Sequence, residues 1–111
     1  MNRPVLDLEC EALFFEQIRN GKKKIEGRLG KAKYLYLKPN DCIRFNKSLC
    51  AKVQAVRHYP SFGAMLQKEG IERVLPGVAT VQEGEAIYKR FYTSDQEKIY
   101  GAVAIEVILA D

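Results

Sequence analysis

Cysteine and histidine are scarce in this chain of 111 residues, and their positions exclude as much as their number. Cys10, Cys42 and Cys50 make an odd count with no C-x-x-C spacing, so neither a disulfide framework nor a structural zinc site is expected, and the thiols read as reduced. His58 is the single histidine and has no second ligand nearby in sequence, so no metal is expected; it reads as a surface or hydrogen-bonded residue at a strand end. Long apolar runs are missing too. The most apolar stretch, 102–110, is too short to span a bilayer and carries Glu106, and the opening M-N-R-P-V-L-D-L-E-C places acids where a signal peptide needs hydrocarbon. No membrane partner is expected; a cytoplasmic location is, or a nuclear one in a eukaryote. The phosphate loop G-x-x-x-x-G-K-[ST], the dinucleotide fingerprint G-x-G-x-x-G and the zinc-deaminase signature are absent, so no cofactor is expected.

With 47% hydrophobic and 29% charged residues, the composition is that of a folded domain, and the length fits one domain, 1–111, with one modest core. The charge is uneven. Residues 19–38 hold eight lysines and arginines against Glu26 alone, a local +7 in a chain of net +4, which leaves −3 for the rest. A basic field on a slightly acidic body points to a phosphate-bearing partner such as RNA or a nucleotide-like ligand, against the plainer alternative of a solvated lysine face.

Periodicity predicts the elements. Pro4 to Leu8 reads as an edge strand, and 9–20 as a helix with Cys10, Leu13, Phe14, Gln17 and Ile18 at helical spacing, stopped by Asn20-Gly21 with Gly21 in the left-handed position. Lys23 to Leu29 reads as a strand and 30–36 as a turn or a single helical turn. In the turn Lys38-Pro39-Asn40-Asp41, Asn40 can take a positive φ and Asp41 closes the loop. Cys42–Phe45 and Leu49–Tyr59 form a hairpin; Ser61 caps a helix that ends at Gly70; Leu75-Pro76-Gly77 is a break. Thr80 to Glu83 is a capping box opening a helix with Gly84, Ile87, Tyr88 and Phe91 on one face. Val103, Ile105, Val107 and Leu109 alternate in a closing strand, central because both faces are apolar. Together these describe an α+β domain whose sheet is able to close into a small barrel.

Four segments then stand out in order: G-K-K-K-I-E-G-R-L at 21–29, L-K-P-N-D-C-I-R-F at 37–45, Y-P-S-F-G-A-M-L at 59–66 and G-A-V-A-I-E-V-I at 101–108. They resemble the ASCH domain family, whose pattern is G-x-K-x-x-E-x-R, a G-D turn leading a strand, an S-F-x-x-(M/L)-L helix and a glycine-led closing strand. The resemblance implies a PUA-like small mixed β-barrel with flanking helices, and a cleft holding Lys23, Glu26 and Arg28 that binds RNA or a nucleotide-like ligand. One bacterial branch hydrolyses N4-acetylcytidine with a threonine nucleophile, a lysine and a glutamate. Aligning the motifs puts its lysine on Lys23, its threonine on Glu26 and its glutamate near Gly77, so Lys23 alone is kept. A ribonuclease is the other enzymatic alternative, again with Lys23 and Glu26 as the catalytic pair.

The candidate ligand-binding residues are therefore Lys22, Lys23, Lys24, Glu26, Arg28, Tyr34 and Tyr36. Arg28 offers a planar fork for phosphate, Glu26 orients it or accepts from a base amine, and Lys22 and Lys24 supply flanking charge. Tyr34 and Tyr36 interleave with Lys33 and Lys38 and either stack on a base or pack in the core; Tyr88 and Tyr92, a helical turn apart, pose the same choice opposite the motif. Strict strand alternation puts Lys22, Lys24, Glu26 and Arg28 on one face and Lys23 on the other, so either the strand begins after Lys23 or one of the three leaves the site.

Overall fold

The computed structural model describes residues 3–110. Five strands, β1 (Pro4–Leu8), β2 (Ile25–Leu29), β3 (Cys42–Phe45), β4 (Leu49–Tyr59) and β5 (Ala102–Leu109), form one mixed sheet in the order β1-β3-β4-β5-β2. Only β1 and β3 run parallel; the other neighbours are antiparallel. Helices α1 (Ala12–Arg19), α2 (Ala32–Leu35), α3 (Phe62–Glu69), α4 (Ile71–Val74), α5 (Val81–Tyr88) and α6 (Ser94–Tyr100) fill the connections. The fold class is thus mixed α+β, as expected. The barrel is not closed by backbone pairing: β1 and β2, the outer strands, do not pair with each other, and the sheet stays open.

β5 is flanked by β4 and β2 and, Glu106 apart, buried on both faces as far as Val107, which is why it reads largely apolar. Val103, Ile105 and Val107 pack with Ile43, Phe45 and Val53 on one side. Ala102 and Ala104 face Ile25, Leu29, Phe62 and Met65 on the other, where their small side chains let α3 approach the sheet. Each fully buried Phe, Ile or Met contributes about 1.5–3 kcal/mol, so these two layers carry most of the stabilisation. A register shift between Val53 and Ala55 leaves Gln54 outside the β4–β5 ladder.

Several local expectations are met. Gly21 (φ 83°) and Asn40 (φ 76°) take positive φ, the Asp41 carboxylate accepts the Lys38 amide at 2.8 Å, and Ser61 Oγ accepts the Ala64 amide at 3.0 Å. Other expectations change. The helix expected over 9–20 begins at Ala12, leaving Cys10 before it, and the helix opened at Thr80 ends at Tyr88, leaving Phe91 in the turn beyond. The strand predicted from Lys23 starts at Ile25, because the Lys23 amide donates to the Gln17 carbonyl (2.9 Å) instead of a neighbouring strand. The Thr80 box is half made: Thr80 accepts from the Glu83 amide, but the Glu83 carboxylate reaches Ala79. The reciprocal box belongs to Thr93 and Gln96, at the start of α6.

Candidate functional site

Two backbone hydrogen bonds shape the approach to β2. After Gly21 stops α1, the Lys23 amide bonds Gln17 and the Lys24 amide bonds the Arg73 carbonyl (2.8 Å), which aims the Lys23 side chain inward and leaves Lys22 and Lys24 exposed. Lys23 is 3% exposed; its ammonium donates to the Val74 carbonyl, lies 3.7 Å from Glu26 Oε1 and sits 5.5 Å from the centre of the Phe14 ring. Glu26 Oε2 accepts from Arg28 Nε at 2.7 Å, and Arg28 Nη2 donates to the Glu9 carbonyl at 2.8 Å. Starting the strand at Ile25 resolves the alternation problem: Lys23 reaches Glu26 and Arg28 from the turn.

These three side chains line one end of a cleft of about 80 Å³. Glu9, Cys10 and Phe14, from the β1–α1 joint and α1, line it too, as do Ile87, Tyr88, Phe91 and Tyr92, from α5 and the turn after it, and Gly27 of β2. The Tyr88 ring stacks on Phe62 with centroids 4.1 Å apart and planes at 11°, and Tyr92 stacks on the same Phe62 at 5.5 Å. Gly27 is required by this packing: a Cβ there would lie 2.5 Å from the Tyr88 hydroxyl and 2.8 Å from the Met65 methyl. Across the rim, Arg90 pairs with Glu11 at 3.0 Å.

Burial lowers the pKa of Lys23 against the opposing pull of Glu26. Burial works against the Arg28 charge too, but the Glu26 carboxylate outweighs it and the guanidinium is held above its ordinary range. The Cys10 thiol is pushed up to about 11, by burial first and the Glu26 charge second, which keeps it protonated. The cleft is therefore close to charge balance: Lys23 and Arg28 both face Glu26 and neither is a free cation.

Of the other residues singled out, Tyr34 is in the hydrophobic core at 6% exposure, and Tyr36 stands 79% exposed on the surface after α2. Neither lines the cleft, whereas Tyr88 and Tyr92 both do. Gly77 is exposed and outside it, although the same segment supplies Leu75 to the wall and the Val74 carbonyl to Lys23. Glu9 lines the cleft from the β1–α1 joint, which carries no periodic signal; Phe91, which helical spacing puts on one face with Ile87 and Tyr88, lies in the turn after α5 and lines the cleft from there. The sequence reading missed a charged cluster behind the site. Glu69, 5% exposed, accepts from Arg57 (2.5 and 2.7 Å) and from the Tyr59 hydroxyl (2.5 Å), while Glu106 takes Arg57 (2.7 Å) and Arg73 (3.2 Å). A glutamate inside the apolar β5 was its one trace in the sequence. Two shallower grooves, about 410 and 390 Å³, meet at Gln54, Glu106 and Ile108 on the same sheet.

Among the described residues no group of three or more His, Cys, Asp or Glu is placed to hold a metal, and no helix is long and apolar enough to cross a membrane. No curated protein matches the chain. Two solved structures are similar over nearly its whole length. The crystal structure of the hypothetical protein PH0355 has a TM-score of 0.91 at 46% identity, covering 95% of this chain and 98% of that one. The solution NMR structure of protein PF0455 from Pyrococcus furiosus has a TM-score of 0.81 at 46% identity, covering 96% and 97%. The ASCH domain model matches residues 8–110, and the chain belongs to the ASCH domain family.

Proposed function

We propose that this protein binds single-stranded RNA or a nucleotide by seating the edge of one base in the cleft. The observation that carries the reading is the joining of aromatic walls, Phe14, Phe91 and Tyr92, to a polar end made of Lys23, Glu26 and Arg28. Aromatic faces stack on any base, and a fixed carboxylate beside two cations offers acceptors and donors to its edge. Phosphate contacts fall to the exposed Lys22 and Lys24 at the entrance to β2. The test is an NMR titration with the four ribonucleosides and a single-stranded RNA hexamer. Amide shifts should gather at 23–28 and 87–92, and Phe91→Ala, which trims a 47% exposed side chain, should weaken binding roughly tenfold, about 1.4 kcal/mol. Shifts scattered over the lysine-rich surface, with no change in Phe91→Ala, would refute it.

A second reading rests on Lys23 alone. A buried lysine of lowered pKa beside a carboxylate is equipped for general-base work on an acylated nucleoside or a phosphodiester. Acetate release from N4-acetylcytidine, or cleavage of RNA, that disappears in Lys23→Met and Glu26→Gln supports this reading; activity that survives both belongs to something else.

A further inference from the structure

Among the described residues two buried side-chain polar atoms lack a hydrogen-bond partner, Gln17 Oε1 and Tyr88 Oη, and of the two residues only Tyr88 lines the cleft. An unpartnered buried hydroxyl costs free energy that a phenylalanine in its place would not. The ring is not loosely placed either. It is 7% exposed, clamped on Phe62, and its oxygen occupies the space that Gly27 leaves open on β2. A rigid ring seated over a glycine, ending in a donor with nothing to donate to, is what a ligand-reading group looks like before its ligand arrives.

We infer that Tyr88 is a specificity-determining residue of the cleft, its hydroxyl donating a hydrogen bond to an uncharged acceptor on the bound base, a carbonyl oxygen or ring nitrogen, while Glu26 accepts from an adjacent N–H. This rests on the nucleotide-binding reading above and adds the atom that reads the base. The acceptor is uncharged because the cleft has no cation to spare: Lys23 and Arg28 are both turned to Glu26, and Arg28 is held by the Glu9 carbonyl as well. Burial, reinforced by the Glu26 charge, raises the Tyr88 pKa well above the ordinary phenol value, so the hydroxyl keeps its proton and remains a donor.

Tyr88→Phe removes the oxygen and leaves the ring. The ligand-free variant should melt at or above the wild-type temperature. Its affinity for the ribonucleoside that the wild type binds best should fall about tenfold, and the spread of affinities across the four ribonucleosides should narrow. In wild-type protein carrying 13Cζ-tyrosine, the Tyr88 signal should move on adding that ribonucleoside and stay in place with inorganic phosphate. Unchanged affinity in Tyr88→Phe overturns the assignment and leaves the cleft reading intact. A lower melting temperature overturns it as well, since the hydroxyl would then be bonded within the fold through water, and so does an equal response to phosphate. If the wild type binds neither the ribonucleosides nor the RNA hexamer, the nucleotide-binding reading fails and this assignment falls with it.

Discussion

Lys23 holds a charge where almost no water reaches it, with one carbonyl and a carboxylate 3.7 Å away as compensation. Its pKa in the fold lies below the 10.5 of the free side chain, with burial the leading cause. Between those two values the unfolded chain binds more protons than the folded one, so stability gains as pH rises through the window, and the handicap is complete below the folded pKa. Lys23→Met carries no such handicap, and Glu26 keeps its 2.7 Å bond to Arg28 in that variant. Urea unfolding of both proteins should show the wild type gaining on Lys23→Met as pH climbs toward 10.5. A difference that does not vary with pH would mean the ammonium is better solvated than its surroundings indicate.

The element that places Lys23 is α4, a single turn whose last carbonyls, Arg73 and Val74, receive the Lys24 amide and the Lys23 ammonium. Arg73 is in turn tied to Glu106 on β5 and lies 3.7 Å from Glu69, at the end of α3. Removing the Glu69 carboxylate strips Arg57 and Tyr59 of their shared acceptor; with Arg57 partly solvated, Glu69→Ala should cost about 2 kcal/mol in denaturant unfolding. The Arg57 hydrogen bonds hold the Glu69 carboxyl below its ordinary pKa of 4.5, so this contribution is present above that value and is lost as acid takes the pH through the folded pKa. A loss that stays the same at low pH would show that the charge plays no part. The β3–β4 hairpin, the caps at Gly21 and Ser61, and β5 were legible because alternation, capping chemistry and two-sided apolarity each leave a local mark. α6 was not, because it buries no residue and so has no apolar stripe, and α4 is too short to show a period. At 22–24 alternation and the motif set Lys23 apart from its two neighbours, but not its burial, which is fixed by hydrogen bonds to Gln17, a helical turn and a half back, and to Arg73, far off in sequence. The cleft is lined from the β1–α1 joint and α1 and from α5 and the turn after it, two segments whose meeting no local pattern encodes.

For the molecule as a whole, Arg28 links the two free margins of the sheet: it belongs to β2, bonds Glu26 there, and donates to the Glu9 carbonyl just beyond β1. Arg28→Met keeps much of the packing volume and removes that tie, so amide exchange in Pro4–Leu8 and Ile25–Leu29 should quicken while the β3–β4–β5 centre keeps its protection. Equal quickening everywhere would make Arg28 a general stabiliser instead. The strand order has a consequence for the growing chain. Among the described residues β2, which carries Glu26 and Arg28, pairs with β5 alone, so as the polypeptide leaves the ribosome this early strand waits without a partner until β5 emerges. The cleft is among the final parts to assemble, and a nascent chain stalled anywhere before Ala102 displays its basic motif with no cleft behind it.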